Sequence, residues 1–122
     1  MDDLYQEVIL AEARSPKNQG ELSAPDLAGT QINASCGDTV RVTIQLSTDK
    51  TTITDIRWQG TGCIISQASL SVISELVKGT SLTEVRAMTA ETVLEHLGLT
   101  TMSPGRMKCL LLGLHTIQKL IG

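Results

Sequence analysis

The chain has 122 residues, with 10 lysines and arginines against 13 aspartates and glutamates, a formal net charge of −3, and three cysteines. One domain of this length buries a core without disulfide staples, and 41% hydrophobic with 19% charged residues argues against wholesale disorder. One Trp, one Tyr and no Phe in a mildly acidic chain leave it without the basic footprint and stacking rings of nucleic-acid binders, and neither a membrane span nor a signal peptide is expected.

Residues 3–13 predict a short amphipathic helix, since Leu4, Tyr5, Val8 and Ile9 recur at helical spacing and acidic residues crowd its start. Residues 14–29 hold Pro16, Gly20, Pro25 and Gly29 and predict a surface loop. A strand over about 30–35 follows, joined through Cys36-Gly37-Asp38 as a tight turn to a second strand. In that second strand Val40, Val42, Ile44 and Leu46 alternate with Thr39, Arg41, Thr43 and Gln45, the period-two pattern of a half-buried strand. After a turn at Ser47–Lys50, residues 51–59 predict a third strand with Ile56 and Trp58 on one face. Three consecutive strands with short turns make an antiparallel meander.

From Gly60 onward the chain turns helical. A helix over 64–78 carries Ile65, Ala68, Val72 and Leu76 on one stripe, with Gly79 at C′. Ser81-Leu82-Thr83-Glu84 has the capping-box pattern and starts a short helix, and another runs near 90–97 to Gly98. Ser103-Pro104 supplies an N-cap and first-turn proline for the last helix, whose buried stripe is Met107, Leu111, Leu114 and Ile121, with Leu110 and Ile117 beside it. The expected fold is a single α+β domain over 1–122: a three-stranded antiparallel sheet with helices packed on one face, an N-terminal helix and a helical C-terminal half.

An odd number of cysteines fits a reducing, cytoplasmic setting and points to metal or thiol chemistry before disulfides. Cys36 sits in a turn with Gly37 and Asp38, so a thiol and a carboxylate share one loop. Cys63 opens a helix, a position that favours a thiolate, and Cys109 lies near Arg106 and Lys108, whose charges do the same. A lone cysteine before Leu110-Leu111-Leu112 is more often a packing residue, whereas Cys36 and Cys63 occupy loop positions that need no small hydrophobe. Zinc takes four tetrahedral ligands, and this sequence offers three thiols plus Asp38, His96 or His115. Asp38 is the natural fourth donor because it shares the Cys36 turn. The spacing alone is a weak signal, with 26 residues between the first two cysteines, 45 between the last two, and no CxxC pair.

Three ordered motifs carry a family resemblance. Asn33-Ala34-Ser35-Cys36-Gly37-Asp38 resembles Asn-Pro-x-Cys-Gly-Asp, Gly62-Cys63-Ile64-Ile65-Ser66-Gln67-Ala68-Ser69 resembles Gly-Cys-Ala-Ile-Ser-x-Ala-Ser, and Arg106-Met107-Lys108-Cys109 resembles a third-cysteine motif. Ser15-Pro16-Lys17-Asn18-Gln19-Gly20 is similar to the loop after the opening helix of the same family. The chain thus resembles, nearly end to end, the U-type iron–sulfur scaffold family of IscU, SufU and the NifU N-terminal domain. The resemblance implies that Cys36, Asp38, Cys63 and Cys109 converge to bind Zn2+, or iron or a transient [2Fe–2S] cluster during assembly. It also implies a cysteine desulfurase as sulfur donor, and apo iron–sulfur proteins or downstream assembly proteins as recipients.

The Arg-x-Lys-Cys form is similar to the SufU branch, a zinc-dependent sulfurtransferase in which Cys36 would accept persulfide sulfur and Arg106 would help engage the desulfurase. Lys108 stands where IscU-like members carry histidine, and 101–105 does not reproduce their Leu-Pro-Pro-Val-Lys segment. The gap between Cys63 and Cys109 lacks the insertion typical of SufU and has an IscU-like length. Three readings follow: a SufU-like persulfide acceptor, an IscU-like [2Fe–2S] scaffold on the same ligands, and a small interaction module with structural zinc only.

Overall fold

Alternation of β-branched and polar residues in the middle of the chain builds the sheet on which the other elements rest. The computed structural model describes residues 3–33, 37–98 and 104–122. In chain order the elements are α1 (Asp3–Arg14), β1 (Leu27–Asn33), β2 (Asp38–Leu46), β3 (Ile53–Thr61), α2 (Ile64–Val77), α3 (Leu82–Ala87), α4 (Ala90–His96) and α5 (Pro104–Ile121). The strands form one antiparallel sheet in the order β1-β2-β3, the expected meander. Its register places Gln31 opposite Val40, and Val42 and Ile44 opposite Trp58 and Ile56. Val40, Val42, Ile44, Ile56 and Trp58 share one fully buried face, against which α2 and α5 pack. This is the α+β architecture expected from the sequence.

Several boundaries differ from expectation, for steric reasons. The first strand begins at Leu27, inside the segment expected to be loop, and runs through Gly29. A side-chain carbon on Gly29 would lie 2.6 Å from Leu120 Cδ2, so Leu120 of α5 packs directly over the backbone of β1. Residues 34–35 of the expected first strand lie outside the described residues. β3 starts at Ile53 and continues through Gly60 to Thr61, past the expected end at 59, and a carbon on Gly60 would lie 2.9 Å from the Thr39 carbonyl oxygen of β2. A register shift at Gln45/Leu46 lets Ile53 join Ile56 and Trp58 in the core despite its odd spacing.

The helical faces are broader than single stripes. On α2, Ala68 and Val72 are buried as expected, but Ile65 and Leu76 are only partly so, while Leu70, Ile73 and Val77 are fully covered. This helix is enclosed by α1, α5 and β3 and therefore buries more than one face. It also buries Ser66, Ser69, Ser71 and Ser74. On α5 the covered residues are Leu110, Leu112, Leu114, Thr116 and Ile117, with Met107, Leu111 and Ile121 at the margin, a wider face than the expected stripe. Gly113 lies against α2, where a side-chain carbon would lie 3.0 Å from Leu70 Cγ, so the two helices approach closely at this point.

Capping follows the sequence closely. Ser81 Oγ accepts from the Glu84 backbone N–H at 3.2 Å, Gly79 after α2 has φ +79°, and Gly98 after α4 has φ +73°. The proposed cap Ser103 lies outside the described residues, and Pro104 is the first residue of α5 as expected. The segment before β1 is stitched to the sheet and to α2. The Trp58 indole donates to the Lys17 carbonyl at 2.8 Å, the Lys17 N–H donates to Ser71 Oγ at 2.8 Å, and the Asn18 amide donates to Ser74 Oγ at 3.0 Å.

Candidate metal centre

Three elements end or begin at one place, and each delivers one polar group there. Asp38 is the first residue of β2 and pairs in register with Asn33, the last of β1. Gly37 has φ +76°, a conformation glycine adopts without strain, and donates its N–H to the Asn33 carbonyl at 2.7 Å. Cys63 is the N-cap of α2, with φ −74° and ψ 164°, and its side chain makes no capping hydrogen bond. It is exposed. Cys109 lies in the second turn of α5 and is half-buried.

The Asp38 carboxylate and the two thiols form a group whose ligand atoms all lie within 4.8 Å of one another. Cys63 Sγ is 3.9 Å from Asp38 Oδ2. Two sulfurs on a tetrahedral zinc, at about 2.3 Å each, stand roughly 3.8 Å apart. The donor set therefore fits such an ion with small side-chain rotations, and thiolates with one carboxylate are chemistry that zinc or iron accepts.

Asp38 is only 3% exposed, and a carboxylate at that depth requires hydrogen bonds. Ser66 supplies one, its hydroxyl donating to Oδ2 at 2.6 Å. The other oxygen rests over Gly62, where an added side-chain carbon would lie 2.5 Å from Asp38 Cγ. Gly62 is thus the one residue type that lets the α2 N-terminus approach the carboxylate this closely.

The sequence-derived candidates divide accordingly. Asp38, Cys63 and Cys109 are brought together, and Cys36 lies outside the described residues. Arg106 and Lys108 are exposed at the start of α5, two turns' worth of helix that also carries Cys109. His96 and His115, the alternative fourth donors, are both exposed and neither belongs to the group; His96 Nδ1 lies 2.9 Å from the Thr92 carbonyl of its own helix. Ser66 and Gly62 escaped the reading of the sequence as site residues, although both sit inside a quoted motif. The available signal was spacing, since Ser66 follows Cys63 by three and so shares its helical face.

Residues 4–122 match the family described as NifU-like N terminal domain. The zinc-dependent sulfurtransferase SufU of Bacillus subtilis is 33% identical over 88 residues, which cover 72% of this chain and 58% of that protein, so the match spans less than two thirds of that relative. The iron–sulfur cluster assembly scaffold protein IscU of Aquifex aeolicus is 31% identical over 93% of this chain and 71% of its own length. Among solved structures, the SUF-system scaffold FiSufU of Fervidobacterium islandicum AW-1 superimposes with a TM-score of 0.80 at 27% identity, covering 98% of this chain and 97% of that one. Among the described residues, no helix is long and apolar enough to cross a membrane.

Proposed function

The chain belongs to the NifU-like N-terminal domain family, and on that premise we propose that it acts in cytoplasmic iron–sulfur cluster biogenesis as a SufU-like acceptor of persulfide sulfur from a cysteine desulfurase. The observation that carries the reading is the convergence of Asp38, Cys63 and Cys109 donors within 4.8 Å, with Cys36 two residues from Asp38 in sequence. In this reading Cys36, Asp38, Cys63 and Cys109 hold Zn2+. Bound zinc keeps coordinating thiols deprotonated and therefore nucleophilic.

Cys36 is the acceptor. Its thiolate attacks the outer sulfur of the donor's persulfide; a sulfur–sulfur bond forms at Cys36, the donor's own sulfur–sulfur bond breaks, and the donor cysteine leaves as thiolate. The exchange is redox-neutral and needs no further reactant. Arg106, exposed on the first turn of α5, engages the desulfurase. Downstream, the sulfur passes to assembly proteins or apo iron–sulfur proteins. The Arg106-Met107-Lys108-Cys109 motif and the likeness to the zinc-dependent sulfurtransferase support this branch.

A second reading has its own support. The IscU-like distance between Cys63 and Cys109, together with a scaffold relative aligned over 93% of the chain, favours assembly of a [2Fe–2S] cluster as cargo on the same four residues. Metal analysis and a visible spectrum of anaerobically purified protein separate the two. The proposed function predicts colourless protein with a single zinc per chain. Iron and sulfide in equal amounts, with visible absorption, would establish the scaffold reading instead.

A further inference from the structure

We infer that Ser66 is the positioning residue of this metal-binding group, fixing the Asp38 carboxylate in place through its hydroxyl; the inference rests on the zinc-site reading above. Ser66 lies one turn into α2 from Cys63 and is 4% exposed. Its Oγ donates to Asp38 Oδ2 at 2.6 Å, within the short range of a hydrogen bond to an ionised acceptor. The same oxygen lies 3.4 Å from the backbone carbonyl oxygen of Cys109 and 3.8 Å from Cys63 Sγ. One hydroxyl therefore touches β2, α2 and α5, the three elements that carry the described donors.

Ser71, also buried on α2, donates to Glu12 Oε2 of α1 at 2.8 Å, outside the donor group, and other buried hydroxyls in the helices turn back on their own backbone. Ser69 donates to the Ser66 carbonyl at 2.9 Å, Ser74 to the Ser71 carbonyl at 2.8 Å, and Thr116 to the Leu112 carbonyl at 2.7 Å. Each of these bonds is a return to the residue's own helix, the ordinary fate of a buried helical serine or threonine. Among these hydroxyls Ser66 is the one that reaches a carboxylate of the donor group itself. Between the Ser66 hydroxyl on one side and the bare Gly62 backbone on the other, Asp38 has its orientation set from two directions.

The consequence concerns the oxygen corner of the donor set. The Ser66 hydrogen bond to Oδ2 restrains the rotation of the carboxylate, so Asp38 is held ready as the oxygen donor. Outer-shell partners of this kind typically account for 10–100-fold in metal affinity, because they hold the ligand in its binding orientation.

The test compares Ser66→Ala with Ser69→Ala, a matched loss of a buried hydroxyl on the same helix, by zinc competition against a chromophoric chelator and by the ligand-field spectrum of the Co2+-loaded proteins. Ser66→Ala is expected to bind zinc about tenfold or more weaker than wild type, with shifted Co2+ bands. Ser69→Ala is expected to match wild type in both. If Ser66→Ala does not fold, Ser66→Thr and Ser66→Val carry the comparison, being alike in shape and different in the hydroxyl, and threonine should bind at least about tenfold tighter than valine. Equal zinc affinity and unchanged Co2+ bands in Ser66→Ala, or equal losses in the two alanine variants, would overturn the inference while leaving the zinc site intact. Failure of the wild-type protein to take up zinc would instead overturn the zinc-site reading, and this inference with it.

Discussion

Gly62→Ala is the sharpest structural perturbation available at the site. The new methyl carbon would lie 2.5 Å from Asp38 Cγ and 3.0 Å from its Cβ, where ordinary contacts between carbons are about 3.5–4.0 Å. Relief requires the carboxylate to move by roughly 1 Å. A shift of that size carries Oδ2 from 2.6 Å to beyond hydrogen-bonding range of Ser66. Loss of a hydrogen bond to a buried charged group costs about 1.5–3 kcal/mol. For a domain of this size each kcal/mol corresponds to roughly 3–6 °C, so the metal-free protein should melt roughly 5–15 °C lower. Gly79→Ala is the control, a glycine at φ +79° that meets nothing within 4 Å, where only backbone strain of about 1 kcal/mol applies. Thermal melts of the two variants, with zinc competition alongside, decide the matter. Were Gly62→Ala to melt no lower than Gly79→Ala and bind zinc like wild type, the close packing of Gly62 on Asp38 would not be what organises this site.

Two further outcomes test the frame around it. Asp26 accepts the Leu46 backbone N–H at 2.8 Å and the Gln45 amide at 2.7 Å, with Lys50 at 3.6 Å, and the Leu46 bond foremost holds its carboxyl below the ordinary value. A carboxyl depressed in the folded state adds stability above its unfolded pKa of about 3.9 and loses it as pH falls through the lower native value. Urea melts should therefore show wild type more stable than Asp26→Asn at neutral pH, with the gap closing below about pH 4; a gap that persists unchanged into strong acid would contradict that origin. Ser81→Ala removes the acceptor for the Glu84 N–H and should cost about 1 kcal/mol in thermal or urea melts without altering zinc affinity.

Period and punctuation made much of this molecule legible in advance. The alternation from Val40 to Leu46 and the Ser81 capping box correspond to β2 and to the start of α3. Where the reading failed, a glycine was usually involved. Gly29 and Gly60 look like chain breaks in one dimension, yet both lie inside strands, because Leu120 and the Thr39 carbonyl press on them from elements distant in sequence. The stripes of α2 and α5 were misjudged for a related reason. Helical periodicity assumes one covered face, and it cannot foresee that α2 is enclosed by three neighbours or that Gly113 admits Leu70 where α5 approaches α2.

At the site, Asp38 was legible because a carboxylate two residues from a cysteine across a glycine is conspicuous. The role of Ser66 was not, since serines recur along α2 and the sequence does not tell those that bond their own helix from those that reach another element. Only the fold distinguishes the hydroxyl that faces the carboxylate of the donor group.

The central claim is sulfur acceptance at Cys36, and its most direct measurement is mass spectrometry of the chain after incubation with a cysteine desulfurase and cysteine, run beside the desulfurase rate. The wild-type protein should gain sulfur on Cys36 and accelerate the desulfurase, and Cys36→Ser should do neither. Undiminished acceleration by Cys36→Ser, or sulfur found on Cys63 or Cys109 with Cys36 unmodified, would contradict the account.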